Sequence, residues 1–411
     1  MPCKRTASFA VHIFVLILFS SCSSYMTEQG GFFSKFNRGQ FKEAADMLKV
    51  NSEKEGRDQI LFLLDRGAAL FEAHDYKGAI DVLSKAERLT ELKDYTKINE
   101  EVLSVITTDN FKMYYPLDYE LIMINTYLAL SYYMTDDYEG ALVECRRINN
   151  LIYKLKVKGM NAFEEVPIAW YISATIYEEQ KKFDDAFIDY KKVLELDPGF
   201  KQVVFDAYRT ARLSGNVQYA SEIDADYPEL DLKDYFKTVR NKKYGSVVLL
   251  HFDGEIPIKR QSRSNDMLPE FYTRTYGKTY LTVKDSSGED LGTTSEVLDL
   301  ESIARKNLSE RAGRIIAKRL LGDATQVAIG YGVAKATNND AIGVLAGLLV
   351  HAAATPDLRS WSTLPRSFQA VRVYLPVGKQ KIALSLSYGK QVERDVDINA
   401  GDTQILMYRS M

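Results

Sequence analysis

The sequence contains few of the residues that form metal centres and disulfide frameworks. Its 411 residues include three cysteines and four histidines, and neither a Cys-x-x-Cys nor a His-x-x-x-His spacing occurs. Cys3 lies within a predicted export signal, Cys22 at its end and Cys145 inside a helical segment, which disfavours a disulfide-stapled fold. A Gly-x-x-x-x-Gly-Lys-Ser/Thr phosphate loop is also missing. We therefore expect neither a metal nor a cofactor.

Long tracts of one charge sign or of low complexity are equally scarce. Hydrophobic residues make up 46% and charged residues 27% of the chain, which is typical of globular proteins. The net charge of −3 becomes −5 without the first 21 residues, because Lys4 and Arg5 are lost. This charge would repel a phosphate backbone, so we expect no nucleic acid partner. The chain length predicts two or three domains.

No apolar run reaches the roughly 20 residues of a transmembrane helix. The run from Ala7 to Phe19 follows Lys4 and Arg5 and precedes small polar residues, which is the layout of an export signal. A second run, Ala341 to Ala354, is 14 residues long. We expect it to be a buried helix, with membrane insertion or a partner-binding face as the alternatives.

The end of the export signal, Phe19-Ser20-Ser21-Cys22, resembles a bacterial lipobox. The resemblance implies cleavage before Cys22 and acylation of that cysteine, although Phe19 stands where leucine is usual. An uncleaved anchor or a plain secretory signal are the alternatives, and both would also export the chain. Ser23, rather than aspartate, after the cysteine implies the outer membrane, facing the periplasm. Two or more acyl chains would anchor the protein stably in a bilayer.

The following part of the chain repeats a two-helix pattern. One copy has the residues and spacing of a tetratricopeptide repeat: Trp170, Ala174, Tyr177, Phe183, Ala186, Tyr190, Val193 and Pro198. Further copies centre on Gly67 and Ala79, on Ala129 and Ala141, on a half-copy around Ala44, and on a degenerate unit with Ala211 and Ala220. The small residues let paired helices cross closely, and bulky neighbours fill the space beside them.

The repeat is interrupted after the second copy. Ala79 and Ala141 are 62 positions apart, so about 28 residues are inserted beyond one period of ~34 residues, roughly over Thr90 to Asp118. Ile98, Val102, Val105 and Ile106 within the insertion have helical spacing. We predict an extra helix there.

Repeats of this kind bind partners in a concave groove lined by their first helices. Six apolar or aromatic residues occupy the groove positions: Leu64, Phe71, Met123, Leu130, Tyr133 and Tyr171. The Lys, Arg and Asn donors that would clamp a peptide carboxylate are missing from these positions, so we expect a hydrophobic helix or extended segment as the ligand. The alternative is that the inserted helix around Val102 to Ile106 fills the groove.

Beyond Tyr227-Pro228 the pattern changes from helical to alternating. Val- and Tyr-rich stretches predict strands at Ser246–Phe252 and Lys278–Lys284, and Leu300–Leu320 has helical spacing. Four further alternating stretches predict a small antiparallel sheet or sandwich: Phe368–Tyr374, Lys381–Tyr388, Gln391–Ile398 and Thr403–Tyr408. The fold class is thus mainly α, with a tetratricopeptide-like helical array followed by an α+β domain.

Candidates for catalysis are sparse. His251 and Asp253 would share one face of a strand, as a base and its orienting carboxylate do, although a strand end at the surface explains them as well. Gly330-Tyr331-Gly332 lacks the third glycine of a dinucleotide loop. Asp357, Arg359 and Trp361 predict either a salt-bridged corner between the helices and the final sheet or a recognition patch. We assign no catalytic residue and expect no enzyme activity.

Three features together resemble an uncharacterised family of bacterial lipoproteins with tetratricopeptide-like repeats: the lipobox, the stretch Ala141-Leu142-Val143-Glu144-Cys145-Arg146-Arg147, and Asp357-Leu358-Arg359-Ser360-Trp361. The resemblance implies location and architecture. The predicted organisation is a signal peptide (1–21), an acylated tether (22–31), helical repeats (32–230) and an α+β domain (231–411). We predict a lipid-anchored cell-envelope scaffold that binds an unidentified envelope protein. The alternative is an envelope hydrolase with its site in the C-terminal domain.

Overall fold

The computed structural model describes residues 29–100, 113–163, 166–263, 268–274, 277–311, 335 and 356–411. Helices occupy the first part of the described chain: α1 (Gly30–Phe36), α2 (Phe41–Met47), α3 (Lys49–Glu53), α4 (Gln59–Glu72), α5 (Tyr76–Glu100), α6 (Asp118–Tyr133), α7 (Tyr138–Val157), α8 (Ile168–Glu179), α9 (Phe183–Leu196), α10 (Lys201–Leu213), α11 (Val217–Asp226) and α12 (Leu232–Val239). The predicted signal peptide and Cys22 lie outside the described residues, as do the stretches 101–112 and 312–334.

Five helical hairpins stack side by side: α1–α2, α4–α5, α6–α7, α8–α9 and α10–α11. The small residues that mark the repeat in the sequence lie fully buried where paired helices cross, among them Ala79, Ala141 and Ala186. At Gly67 the approach is closest, since a Cβ there would lie 2.4 Å from a methyl carbon of Leu83. The predicted tetratricopeptide-like array is therefore confirmed.

All five hairpins use the same turn. The residue two positions before the second helix has a positive φ in each: Gly39 (74°), His74 (62°), Asp136 (61°), Lys181 (60°) and Gly215 (82°). In the third hairpin the amides of Asp136 and Asp137 donate to the carbonyls of Tyr133 and Tyr132, each at 3.0 Å. This pair of bonds satisfies the free carbonyls at the end of the first helix and reverses the chain, so the turn ends one helix and begins the next.

The insertion between the second and third repeats begins as an extension of α5. That helix runs unbroken to Glu100, well past the length of a repeat helix, so for the described residues the predicted extra helix is a continuation of α5 rather than a separate element. The remaining predicted helical residues of the insertion, 102–106, lie outside the described chain. The described chain meets the array again at Tyr114, whose amide donates to the carbonyl of Arg57 at 2.6 Å.

Strands form most of the described chain after α12: β1 (Tyr244–Asp253), β2 (Ile258–Gln261), β3 (Pro269–Tyr272), β4 (Leu281–Lys284), β5 (Asp290–Thr293), β6 (Ser295–Asp299), β7 (Ser367–Pro376), β8 (Gly378–Leu386), β9 (Gln391–Ile398) and β10 (Thr403–Ser410). A helix over 300–311 follows β6. The strands make a first sheet in the order β10-β1-β7-β6, a second sheet in the order β5-β4-β8-β9, and a β2–β3 hairpin.

The first sheet lies between the helices and the second sheet. On one face of β1, Val248, Leu250 and Phe252 belong to the same hydrophobic core as the helices. On the other face, Val247 and Leu249 pack in a separate core with the second sheet. A strand that is buried on both faces has a nearly continuous run of apolar residues and no alternation. This burial explains the apolar run within Ser246–Phe252.

The four C-terminal stretches predicted as strands are all strands, and the predicted sandwich is present. Their pairing differs from a simple meander, because β7 and β10 join the first sheet while β8 and β9 join the second. β10 pairs parallel with β1, with Ser246 opposite Thr403. An alternating pattern identifies a strand but not its neighbours, so this long-range pairing was not accessible from the sequence.

Candidate functional site at the inner face of the array

The six residues predicted to line a groove are all buried: Leu64, Phe71, Met123, Leu130, Tyr133 and Tyr171. They lie on the inner face of the array, where the chain's own first sheet covers part of them. The ring of Phe71 stacks on Phe252 of β1, with centroids 5.9 Å apart. The hydroxyl of Tyr133 accepts from the amide of Ile405 in β10 at 3.0 Å.

A partner could reach Phe71 and Tyr133 only if the sheet moved away from the helices. On the sequence alone, an external ligand and the inserted helix were both open as occupants of this face. In the described chain, β1 and β10 cover Phe71 and Tyr133, whereas 102–106 lie outside the described residues. Partner binding by the six residues stays a prediction.

Carboxylates on the first helices bind cations from the C-terminal part across this face. Glu72 of α4 lies 3.3 Å from Arg409 of β10. Asp118 of α6 lies 2.5 Å from Arg311 in the helix over 300–311. Glu178 of α8 completes the series, 2.8 Å from Arg372 of β7. Three successive repeats are thus fastened to the C-terminal part by charge-assisted contacts.

The densest part of this interface is a buried ionic centre of Glu178, Asp206, Arg209 and Arg372. Arg209 lies 2.6 Å from Glu178 and 2.8 Å from Asp206. The guanidinium of Arg372 is fully buried, with its Nε 2.7 Å from Asp206. The hydroxyl of Tyr190 donates to Glu178 at 3.1 Å. Two acids and two bases balance in charge, which is the condition under which buried ions are tolerated.

Burial by itself would raise the pKa of Glu178, but the charges of Arg209 and Arg372 and the hydrogen bonds it accepts lower the pKa to about 2. The neighbouring carboxylates in turn raise the pKa of Arg372 against the effect of its burial. Glu178 and Arg372 are therefore both ionised across the physiological range. This arrangement holds the array and the sheet in one relative position.

A second group of hydrogen bonds and ion pairs joins the helices to the segment before β7, at the other end of the interface. Glu120 of α6 accepts from the amide of Trp361 at 2.7 Å and from the hydroxyl of Tyr114 at 2.5 Å. Arg359 lies 2.7 Å from Asp357 and 2.6 Å from Asp58 at the start of α4. Asp357, Arg359 and the buried Trp361 thus form the salt-bridged corner, one of the two alternatives that the sequence left open.

The candidate base and carboxylate on β1 have separate partners. His251 lies 2.8 Å from Ser410 and 3.1 Å from Gln369, while Asp253 lies 2.8 Å from Arg366. Both side chains are buried between the two sheets, so a surface strand end does not explain them. Burial lowers the pKa of His251. The pair is a satisfied polar part of the sandwich interior, with a histidine–serine contact that no substrate reaches in this conformation.

Cys145 belongs to the hydrophobic core of the helical array. It is buried in α7, and burial raises the pKa of its thiol, which keeps it protonated and unreactive. Among the described residues, no cluster of three or more candidate metal ligands occurs, and no helix is long and apolar enough to cross a membrane. The apolar run 341–354 and the glycines 330 and 332 lie outside the described residues.

Sequence reasoning missed the ionic centre, although two signals for it were present. Glu178 and Asp206 are acidic residues within apolar helical faces, and Arg372 lies between two valines of β7. Charged residues in such positions are almost always paired when buried. A single sequence does not show which acid pairs with an arginine nearly 200 positions away.

The outer surface of the array carries a different kind of feature on α7. Tyr153 and Val157 are 69% and 70% exposed, and Val143 is also exposed on the same helix. Exposed Arg146, Lys154 and Lys158 lie between or beside them. We call these six residues the α7 stripe. Exposed apolar side chains that cluster on one surface mark sites of interaction with a partner.

No family model matches the chain, and no curated protein matches its sequence significantly. Solved structures with helical repeats do match in part. The MamA protein is 17% identical, over 49% of this chain and 91% of that chain, with a TM-score of 0.31. The TPR-like repeats of a Podospora anserina kinesin light chain are 12% identical, over 51% and 96%, with a TM-score of 0.34. The TPR2AB domain of yeast Sti1, in complex with an HSP90 peptide, is 14% identical, over 51% and 95%, with a TM-score of 0.20.

Proposed function

We propose that the chain is a lipid-anchored scaffold of the bacterial cell envelope that binds a protein partner through the outer surface of its array. The observation that carries this proposal is the division of the array into two faces. The inner face is occupied by the chain's own sheet, whereas α7 presents exposed apolar side chains to solvent. A helical-repeat protein that has used its concave face internally can still recruit a partner on its outer helices.

The chemistry of the α7 stripe indicates the partner's surface. Residues 146–158 contain five basic side chains and no acidic one, in a chain whose net charge is −3. Arg147 is already paired with Glu87, at 2.7 Å. Tyr153 and Val157 supply apolar area, with Lys154 and Lys158 beside them. The complementary partner is a protein segment that combines acidic and apolar residues.

A crosslinking experiment tests the partner surface. A photoreactive phenylalanine analogue at Tyr153 should give a crosslinked product in cells, while the same analogue at Ile188, which is 59% exposed on α9, should not. The partner peptide in the product at Tyr153 should come from an acidic segment. The double variant Lys154→Glu with Lys158→Glu should abolish this product. Equal products at both positions, or a product that the charge reversal leaves unchanged, would contradict the proposal.

The anchoring part of the proposal rests on the lipobox and needs its own test. Cells fed labelled palmitate should label the wild-type protein and leave Cys22→Ala unlabelled, and only the wild type should fractionate with membranes. Label that persists in Cys22→Ala would remove the anchoring assignment. The outer-membrane location is tested by separating inner and outer membranes on a density gradient.

A hydrolase is the second candidate function, favoured by the 2.8 Å contact between His251 and Ser410. Gln369, rather than a carboxylate, lies on the other ring nitrogen of the histidine. A fluorophosphonate probe that labels the wild type and not Ser410→Ala would establish this candidate. We expect no labelling, because both residues are buried.

A further inference from the structure

We infer that a small exposed corner of the array beside the start of α1 lies against an anionic membrane surface and thereby orients the anchored protein. This inference rests on the proposed acylation of Cys22. The corner consists of Gly31, Met47, Lys49 and Val50. We call it the exit patch, because the tether leaves the folded array there.

The exit patch places apolar side chains where the tether meets the folded array. The side chain of Met47 packs over Gly31, since a Cβ on that glycine would lie 3.0 Å from its terminal methyl carbon. Met47 is nevertheless 47% exposed, and Val50 is 73% exposed. Lys49, between them, is also exposed. No other role for these exposed apolar side chains follows from the packing of the array.

The length of the tether limits which face can meet the bilayer. Eight peptide steps separate Cys22 from Gly30, so the tether spans at most about 28 Å. A compact chain of this size has a diameter of roughly 50 Å. If the opposite side of the protein lay on the membrane, Gly30 would be farther from the bilayer than the tether reaches. The faces around the exit patch are therefore those available to the membrane.

The chemistry of this end of the array suits lipid headgroups. Residues 30–54 carry five basic and three acidic side chains, the reverse of the balance in the whole chain. Met47 and Val50 would enter the boundary between headgroups and acyl chains, and the ammonium of Lys49 would reach lipid phosphates. Each contact is weak, but a short tether gives a high effective concentration, so a weak contact is enough to select one orientation.

A fluorescent label at the exit patch tests the inference. The lipidated protein carries Val50→Cys with an environment-sensitive nitrobenzoxadiazole label, in vesicles of phosphatidylethanolamine and phosphatidylglycerol. We expect the emission to shift to shorter wavelength and to be quenched by nitroxide lipids. Val217→Cys, 55% exposed on α11, is the matched control and should show neither effect. Unshifted emission at Val50 in protein that floats with the vesicles would overturn the inference.

A second arm separates this inference from the anchoring proposal. The chain from residue 22 onward, with Cys22→Ala and an N-terminal histidine tag, is held on vesicles by a nickel-chelating lipid, so native acylation is not needed. The label at Val50 should shift as before, and Met47→Asp should greatly reduce the shift, because it removes an apolar contact and adds a negative charge that anionic lipids repel. If lipidation fails but this label shifts, the patch stands without the native anchor. If the label stays unshifted on chelating vesicles, the inference fails.

Discussion

Arg372→Met should destabilise the protein strongly, because it removes the cation that joins the sheet to two buried acids. Arg372 is fully buried and lies 2.8 Å from Glu178 and 2.7 Å from Asp206. Its removal leaves Arg209 as the remaining arginine against two carboxylates in the ionic centre. Breaking a buried ion pair by deleting one partner typically costs about 3–5 kcal/mol, and the methionine supplies apolar volume but no donors. We therefore expect a loss of about 3 kcal/mol or more.

Urea unfolding followed by circular dichroism measures this loss. Glu178→Gln should also destabilise, but the double variant Arg372→Met with Glu178→Gln should lose less than the sum of the two, by roughly 2 kcal/mol, because it removes one charge of each sign. Lys233→Met is a matched control, since its ion pair with Asp224 is at the surface. A loss below about 1 kcal/mol for Arg372→Met would refute the reasoning.

The ionic centre should also make the free energy of unfolding decrease at low pH. The pKa of Glu178 is lowered from 4.5 to about 2 in the folded protein. A depressed pKa means that the stabilisation is present above the unfolded value and is lost as the pH falls toward 2. In Arg372→Met this pKa should rise toward the unfolded value, so the acid-induced loss from Glu178 should be smaller and should be complete at a higher pH. Unfolding curves of the two proteins between pH 2 and 6 would show whether it does.

Three further substitutions test other parts of the fold, each by denaturant unfolding. Asp189→Asn should stabilise the protein at pH 7 by up to about 3 kcal/mol, because burial raises the pKa of Asp189 to about 6. Ionisation of Asp189 opposes folding as the pH rises from 3.8 through 6, so a variant with the same dependence of stability on pH as the wild type would contradict this. Gly67→Ala should cost roughly 1–3 kcal/mol, since its Cβ would collide with Leu83, and a neutral effect would contradict the close crossing. Asp136→Gly should gain about 0.5–1 kcal/mol by relieving the positive φ of that turn, and a loss would count against the shared turn geometry.

The helical array was predictable because its determinants are local. Ala79, Ala141 and Ala186 recur at fixed distances from aromatic residues, and helix pairing within a hairpin follows from a short turn. Six of the ten described strands were predictable for the same reason, since alternation, apolar runs and flanking glycines are local signals. The strands β2, β3, β5 and β6 were not predicted, because each has only four or five residues. The shared positive-φ turn was not predictable, because His74 and Lys181 are not typical turn residues.

The site was less predictable than the fold. The residues predicted to line a groove, among them Leu64, Met123 and Leu130, are buried, and their role in partner binding stays a prediction. What covers that face depends on contacts between residues such as Tyr133 and Ile405, which are 272 positions apart. Such contacts depend on shape and on long-range pairing, and a single sequence does not record either of them.

The parallel pairing of β1 with β10 has a consequence for how the protein is made. A ribosome delivers Ser246 long before Thr403, yet the two stand opposite each other in the finished sheet. During the interval the edge of β1 is open, and the hydroxyl of Tyr133 and the carboxylate of Glu72 lack their later partners. Open strand edges invite pairing with other chains. Nascent or truncated forms that stop before Thr403 should therefore be clients of chaperones and prone to aggregation, rather than smaller functional versions of the protein.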